Sequence, residues 1–320
     1  MKKNKIRVTS AVVSAIMLAS SASAFAKFDA YNDSDGFTLG HYEAEVNQEQ
    51  RADTEKLYEQ RPKNERQFEN LSRGLVAVPG ENGTLVSWRF LGTDSNSLTY
   101  NLYCSGEKLN DKPITTTNFF HTGASTNAEY TFKEVENGEE TGVEYTTTAW
   151  DKNYIGFKVT EREGYNIDDG AVADLDGDGE YELIVKWDCA SRDNSQAGLT
   201  GNVYLDAYKL NGKKLWRIDL GKNIRAGAHY TQFLVYDFDM DGKAEVACKT
   251  APGSIDGAGK YVSETSSVEE IRNANDNTVS YVNQNGYILD GNEYFTAFDG
   301  ETGKTIDTIY YPIPRLDYES

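Results

Sequence analysis

Six aspartates and two glutamates fall into two copies of one acidic pattern. The first reads Asp174-Leu175-Asp176-Gly177-Asp178-Gly179 and is closed by Glu182; the second, 63 residues on, reads Asp237-Phe238-Asp239-Met240-Asp241-Gly242 and is closed by Glu245. Carboxylates at alternate positions of a tight turn repel one another unless a hard cation neutralises them, and glycine permits the left-handed backbone such a turn needs. The expected ion is calcium, with its six to eight oxygen ligands and loose geometry. The predicted side-chain ligands are Asp174, Asp176, Asp178 and Glu182 in the first loop and Asp237, Asp239, Asp241 and Glu245 in the second. A backbone oxygen near Glu180 or Lys243 completes each set. An EF-hand would put its glutamate at loop position 12 between two helices. Here it stands at position 9, and both flanks read as apolar strands. Two blander readings stand beside this one: a solvated acidic turn holding no ion, and an ion that only pins the turn between two strands. The pinning role is the main one expected for both loops.

The elements that must position these loops also repeat. Apolar runs at 170–173 and 233–236 precede them, and runs at 183–187 and 246–249 follow. Further runs at 203–208 and 214–218, and at 294–298 and 305–309, complete two sets of four short strands, the layout of β-propeller blades. The second set carries a longer insertion, about 251–290, rich in Gly, Asn and Ser, of the kind that emerges on a binding face. Upstream, alternating strands at 83–90, 98–103, 129–135 and 144–150 are separated by turn residues. They predict a small fibronectin-like β-sandwich over 66–152 with Trp88 as its core plug. Residues 27–65 form a polar linker, and 160–320 a partial propeller of about two blades. The fold class expected is all-β: a fibronectin-like β-sandwich followed by the first blades of a calcium-binding β-propeller.

Charge and composition narrow the function. Fifty-one Asp+Glu against 32 Lys+Arg give a formal charge of −19, which argues against nucleic acid or an anionic membrane as partner. Residues 1–26 pass from a basic start through an apolar stretch to Ala24-Phe25-Ala26, the order of a secretory signal peptide, so a secreted, extracellular protein is expected. The apolar run is too short and too rich in Ser for a retained membrane span. Cys104, Cys189 and Cys248 build no disulfide framework and are expected as small buried hydrophobes.

The strings at 177–188, 193–196, 200–209, 215–218 and 221–232 resemble the bacterial rhamnogalacturonan endolyases of polysaccharide lyase family 11. The upstream strings 72–78 and 86–93 resemble the same family's N-terminal module, and the likeness spans about 66–311. The resemblance implies secreted eight-bladed propellers with bound Ca2+ that cleave the rhamnose–galacturonate backbone of rhamnogalacturonan I, a pectic polysaccharide, by β-elimination. It also implies sugar contacts at Asp168 and Asp188. Family members run on through further blades, so the chain is expected to be a fragment, impaired alone, with its base in blades beyond residue 320. A monomer is expected.

β-Elimination beside a uronate removes the C5 proton and expels the group on C4, so it needs positive charge on the uronate carboxylate and a base near C5. Within the chain, Arg225 and His229 are weak candidates for this work; His229 equally suits loop ordering or metal ligation. Trp187 is placed either to stack on a sugar or to pack between blades. Two rival functions remain open from sequence: a calcium-dependent carbohydrate-binding or adhesion propeller without catalysis, and a glycoside hydrolase. The Lys186-Trp187-Asp188 and 224–229 strings favour the lyase.

Overall fold

The computed structural model describes residues 71–313 apart from 124–126, 160–161, 190–191, 193–194 and 228–229. The expected signal peptide (1–26), the linker (27–65) and His229 lie outside the described residues. The described chain is all-β, with four antiparallel sheets, and no sheet among the described residues closes into a barrel.

Strands β1 (Val76–Gly80), β2 (Gly83–Ser87) and β5 (Asn118–Thr122) form a three-stranded sheet in the order β1-β2-β5. The second sheet contains β3 (Thr99–Cys104), β4 (Glu107–Lys108), β6 (Glu129–Glu136) and β7 (Glu139–Thr148) in the order β4-β3-β6-β7. Alternation sends Ala77 and Val86 of the first sheet and Tyr100, Leu102, Tyr130 and Phe132 of the second into one core. Trp88 lies in that core, its ring stacked 5.1 Å from Phe132 and edge-on at 5.1 Å to Tyr100.

The downstream half repeats a four-stranded meander. Strands β8 (Tyr165–Ala173), β9 (Glu182–Cys189), β10 (Tyr204–Lys209) and β11 (Lys214–Asp219) pair in sequence order, as do β12 (Phe233–Tyr236), β13 (Glu245–Thr250), β14 (Tyr294–Phe298) and β15 (Thr305–Tyr310). Period-two alternation divides the first meander's side chains between two cores. Ile184, Leu205, Ala207, Trp216 and Ile218 meet Val246, Cys248, Tyr294 and Phe298 of the second meander. Val185, Trp187, Tyr204 and Tyr208 form a separate cluster on the other face. Hydrogen bonds lock the two meanders together: Trp216 Nε1 donates to the Gly300 carbonyl at 2.6 Å and Ala244 N to the Asp174 carbonyl at 2.8 Å. Only glycine fits at 300, because a Cβ there would stand 1.8 Å from the Ala244 carbonyl oxygen.

The segment between β13 and β14 carries a 3-10 turn (Val262–Thr265) and α1 (Glu269–Asn273), helical elements that strand spacing did not predict. It folds back onto the β11–β12 connection: Asn223 Nδ2 donates to the carbonyls of Pro252 and Val279 at 2.8 and 2.9 Å, and Tyr281 N donates to Asn223 Oδ1 at 2.9 Å. The three cysteines are free; burial pushes the Cys248 thiol up to about 12, as a core residue requires.

Candidate functional site

Each acidic loop joins the first two strands of its meander, and both are wired alike. In loop 1, Asp174 accepts from the N–H groups of Gly177 and Gly179 at 2.7 and 2.9 Å, and Glu182 accepts from Leu175 N at 2.8 Å. In loop 2, Asp237 accepts from Asp241 N and Gly242 N at 3.1 and 3.0 Å, and Glu245 accepts from Phe238 N at 2.7 Å. The left-handed positions correspond too: Gly177 (φ 78°) and Gly179 (φ 89°) match Met240 (φ 62°) and Gly242 (φ 97°). Met240 alone carries a side chain there, against the steric preference of L-residues.

The loops differ in what neutralises them. Lys209, at the end of β10, places its ammonium 2.7 Å from Asp176, 2.8 Å from Asp178 and 3.1 Å from Glu182. That ammonium holds the Asp178 carboxyl below its ordinary range. Loop 2 has no lysine or arginine ion pair to its four carboxylates among the described residues. Lys209 pairs with Glu182 across β9–β10, and the strand Tyr294–Phe298 brings Asp299 to the matching place, where its carboxylate accepts from Thr302 N at 2.8 Å. Carboxylate oxygens of Asp237, Asp239, Asp241 and Glu245 come together within 4.8 Å, whereas in loop 1 only those of Asp174, Asp176 and Asp178 do. Burial, with the neighbouring aspartates adding to it, pushes the Glu245 carboxyl up to about 8. An all-oxygen, unneutralised, partly buried set of four fits a hard divalent cation. In loop 1 the same pattern already holds a cation, that of Lys209. Sequence reasoning missed Lys209; aligning 204–209 with 294–299 was the signal that could have found it.

The sugar-facing candidates lie on β8 and β9. Asp168 is the extra residue of a β-bulge between Ile167 and Asp169, which turns its half-exposed carboxylate to Lys186 Nζ at 2.9 Å. Lys186 is 1% exposed, and its ammonium also reaches the Tyr230 carbonyl at 3.5 Å. Asp188 is buried one residue pair along, opposite Asn166. Trp187 is 3% exposed among Val185, Tyr204 and Tyr208, so its ring fills a core and offers no face to a sugar. Arg225 is buried in the β11–β12 connection, its guanidinium 4.5 Å over the Tyr287 ring and its Nη2 donating to the Gln196 carbonyl. The N-terminal sheets reach loop 1 directly: Ser72 N donates to the Gly179 carbonyl at 2.8 Å, and Arg89 lies 4.4 Å over the Tyr181 ring.

Comparison with known proteins gives two family matches that together cover nearly all the described residues. The C-terminal domain of rhamnogalacturonan lyase family 11 matches 156–320, and the beta-sheet domain of rhamnogalacturonan I lyases matches 66–150. Rhamnogalacturonan endolyase YesW of Bacillus subtilis (strain 168) is 49% identical over 261 residues, covering 78% of this chain and 40% of the relative. Rhamnogalacturonan exolyase YesX of the same organism is 44% identical over 262 residues, covering 78% and 41%. The crystal structure of YesX superposes with a TM-score of 0.72 over 80% of this chain and 42% of that one. The rhamnogalacturonan lyase PL11 of Bacillus licheniformis superposes at 0.70 with 48% identity, over 78% and 43%. The chain thus spans about two fifths of the length of the curated relatives it matches.

Proposed function

The chain belongs to rhamnogalacturonan lyase family 11, and on that premise we propose that it serves the cleavage of the rhamnose–galacturonate backbone of rhamnogalacturonan I by β-elimination, outside the cell. The observation that carries this reading is the pairing of the two family domains in one chain, each on its own pair of sheets. The two meanders are read as consecutive propeller blades, supported by their common strand order, repeated loop and shared core. The upstream pair of sheets is read as the fibronectin-like sandwich. Internal attack is the proposed mode; the matched relatives include both an endolyase and an exolyase, so the lengths of released products decide it.

Calcium belongs to loop 2 first, held by Asp237, Asp239, Asp241 and Glu245, and to loop 1 only where it displaces Lys209. Bound there, it supplies fixed positive charge that holds the acidic turn closed between its strands. The chain's own residues act on the sugar. Asp168 and Asp188 accept hydrogen bonds from hydroxyls at the β8–β9 rim, and Lys186 fixes the direction of Asp168.

The test is incubation with rhamnogalacturonan I, with and without chelator, following the ultraviolet absorbance of the unsaturated uronate and the sizes of the products. Calcium-dependent absorbance is expected, at the low rate of a chain that spans about two fifths of its relatives. New reducing ends without absorbance would mean hydrolysis, and retention on the polysaccharide without either would mean a binding module.

A further inference from the structure

Arg225 is 7% exposed, yet its Nε and Nη1 have no hydrogen-bond partner among the described residues. Buried guanidinium N–H groups left without acceptors are costly, and native proteins rarely tolerate them without a ligand or ion to complete the set. The side chain borders a cavity of about 330 Å³, at the small end of ligand pockets, whose wall includes Asn223, Lys249, Tyr287, Leu289 and Glu293. Lys249 is paired with Glu293, which leaves the charge of Arg225 uncompensated among these lining groups. The cavity adjoins the β8–β9 rim through Tyr230, whose carbonyl meets Lys186 and whose side chain lies near Arg225.

We propose that this cavity is the subsite for a uronate carboxylate, which accepts a hydrogen bond from the Arg225 guanidinium. The proposal rests on the pectic-substrate reading above and names the group by which the chain would recognise it. A guanidinium N–H and a carboxylate make a charge-assisted hydrogen bond, and the Tyr287 ring 4.5 Å away holds the guanidinium in place before a ligand arrives. One uncompensated positive charge suits a monoanion, whereas a dianion would meet Glu293. Leu289 is 73% exposed at the cavity and Tyr287 forms part of its wall, so both offer apolar surface to the C–H face of a sugar ring. The chain's charge of −19 opposes any anion at long range, so a preference for carboxylate has to come from local contacts such as this one.

The test compares a rhamnogalacturonan I oligosaccharide with the same oligosaccharide after reduction of its carboxyls to alcohols, titrated calorimetrically into the full chain at fixed calcium. The wild type is expected to favour the carboxylate form by about tenfold or more. Arg225→Gln should abolish that preference and Arg225→Lys restore part of it. Leu289→Glu, at an exposed position that leaves the core intact, should weaken the carboxylate ligand about tenfold and spare the reduced one. A wild-type preference retained in both Arg225→Gln and Leu289→Glu, or no binding of either ligand by the wild type, overturns the subsite. Unsaturated uronate is assayed in parallel. Product formed while the preference ignores both substitutions sinks the subsite alone; carboxylate preference that depends on Arg225, with new reducing ends and no unsaturated uronate, supports the subsite and sinks the lyase reading.

Discussion

Lys209 and Met240 show how much a single side chain changes in a repeated loop. Lys209 gives loop 1 a built-in counter-charge, so its removal should act oppositely with and without calcium. In chelator, Lys209→Met leaves the buried Glu182 unpaired and should lower stability by about 1–3 kcal/mol, discounted for the partial exposure of the pair. With calcium present, the same variant should bind the ion more tightly at loop 1; titration calorimetry reads both the affinity and the number of sites. Asp241→Asn should weaken the tighter site, and Asp178→Asn should leave that site unchanged. Met240 occupies a left-handed position with its side chain partly exposed, so Met240→Gly removes backbone strain at little packing cost. It should raise stability in chelator by about 0.5–1 kcal/mol, since glycine's greater freedom in the unfolded chain offsets part of the gain. Denaturant midpoints measured on the two proteins check this.

At the scale of strands and sheets, a buried charge cluster outside the loops sits on β10. Asp206 is fully buried between Arg217, Lys214 and Tyr208; burial alone would raise its carboxyl, but the hydrogen bonds from these three groups bring it below its ordinary range. The folded value therefore lies under the unfolded 3.8. Asp206 contributes stability above that pH and loses it as pH falls through the lower folded value. Asp206→Asn should cost about 2–4 kcal/mol near neutrality and remove this step from the acid limb of a stability profile, read by urea unfolding at several pH values. Between the sheets, Trp216→Phe strands the Gly300 carbonyl and should cost about 1–2 kcal/mol, seen in the same measurement. Most of this scaffold was legible from the chain. All eight strands of the two meanders follow apolar runs with short turns between them, and alternation assigns their faces. Strand β1 was not foreseen, because it is short and ends in Pro79-Gly80. Strand β5 escaped because Asn118–Thr122 is half exposed and lacks a buried stripe. Lys209 and the unpartnered N–H groups of Arg225 were hidden for another reason: each is defined by neighbours brought near only by strand pairing or loop docking.

Across the whole molecule, loop 1 is held from three sides: by its own meander, by the second meander through Ala244 and Lys243, and by the upstream sheets through Ser72 and Arg89. Arg89→Ala should therefore loosen the upstream pair of sheets from the meanders while leaving the core around Trp88 closed; earlier protease cutting near 151–164, with an unchanged Trp88 environment, would register it. Among the described residues no helix is long and apolar enough to cross a membrane. The two acidic loops offset their negative charge by different routes. One copy sets a lysine at position 209 against its carboxylates; the other has an acid at position 299, and the ion proposed for it would come from the surroundings. With calcium in the second loop as proposed, a habitat poor in divalent ions would press on codon 299, where a basic residue would stand in for the mineral as lysine does in the first copy.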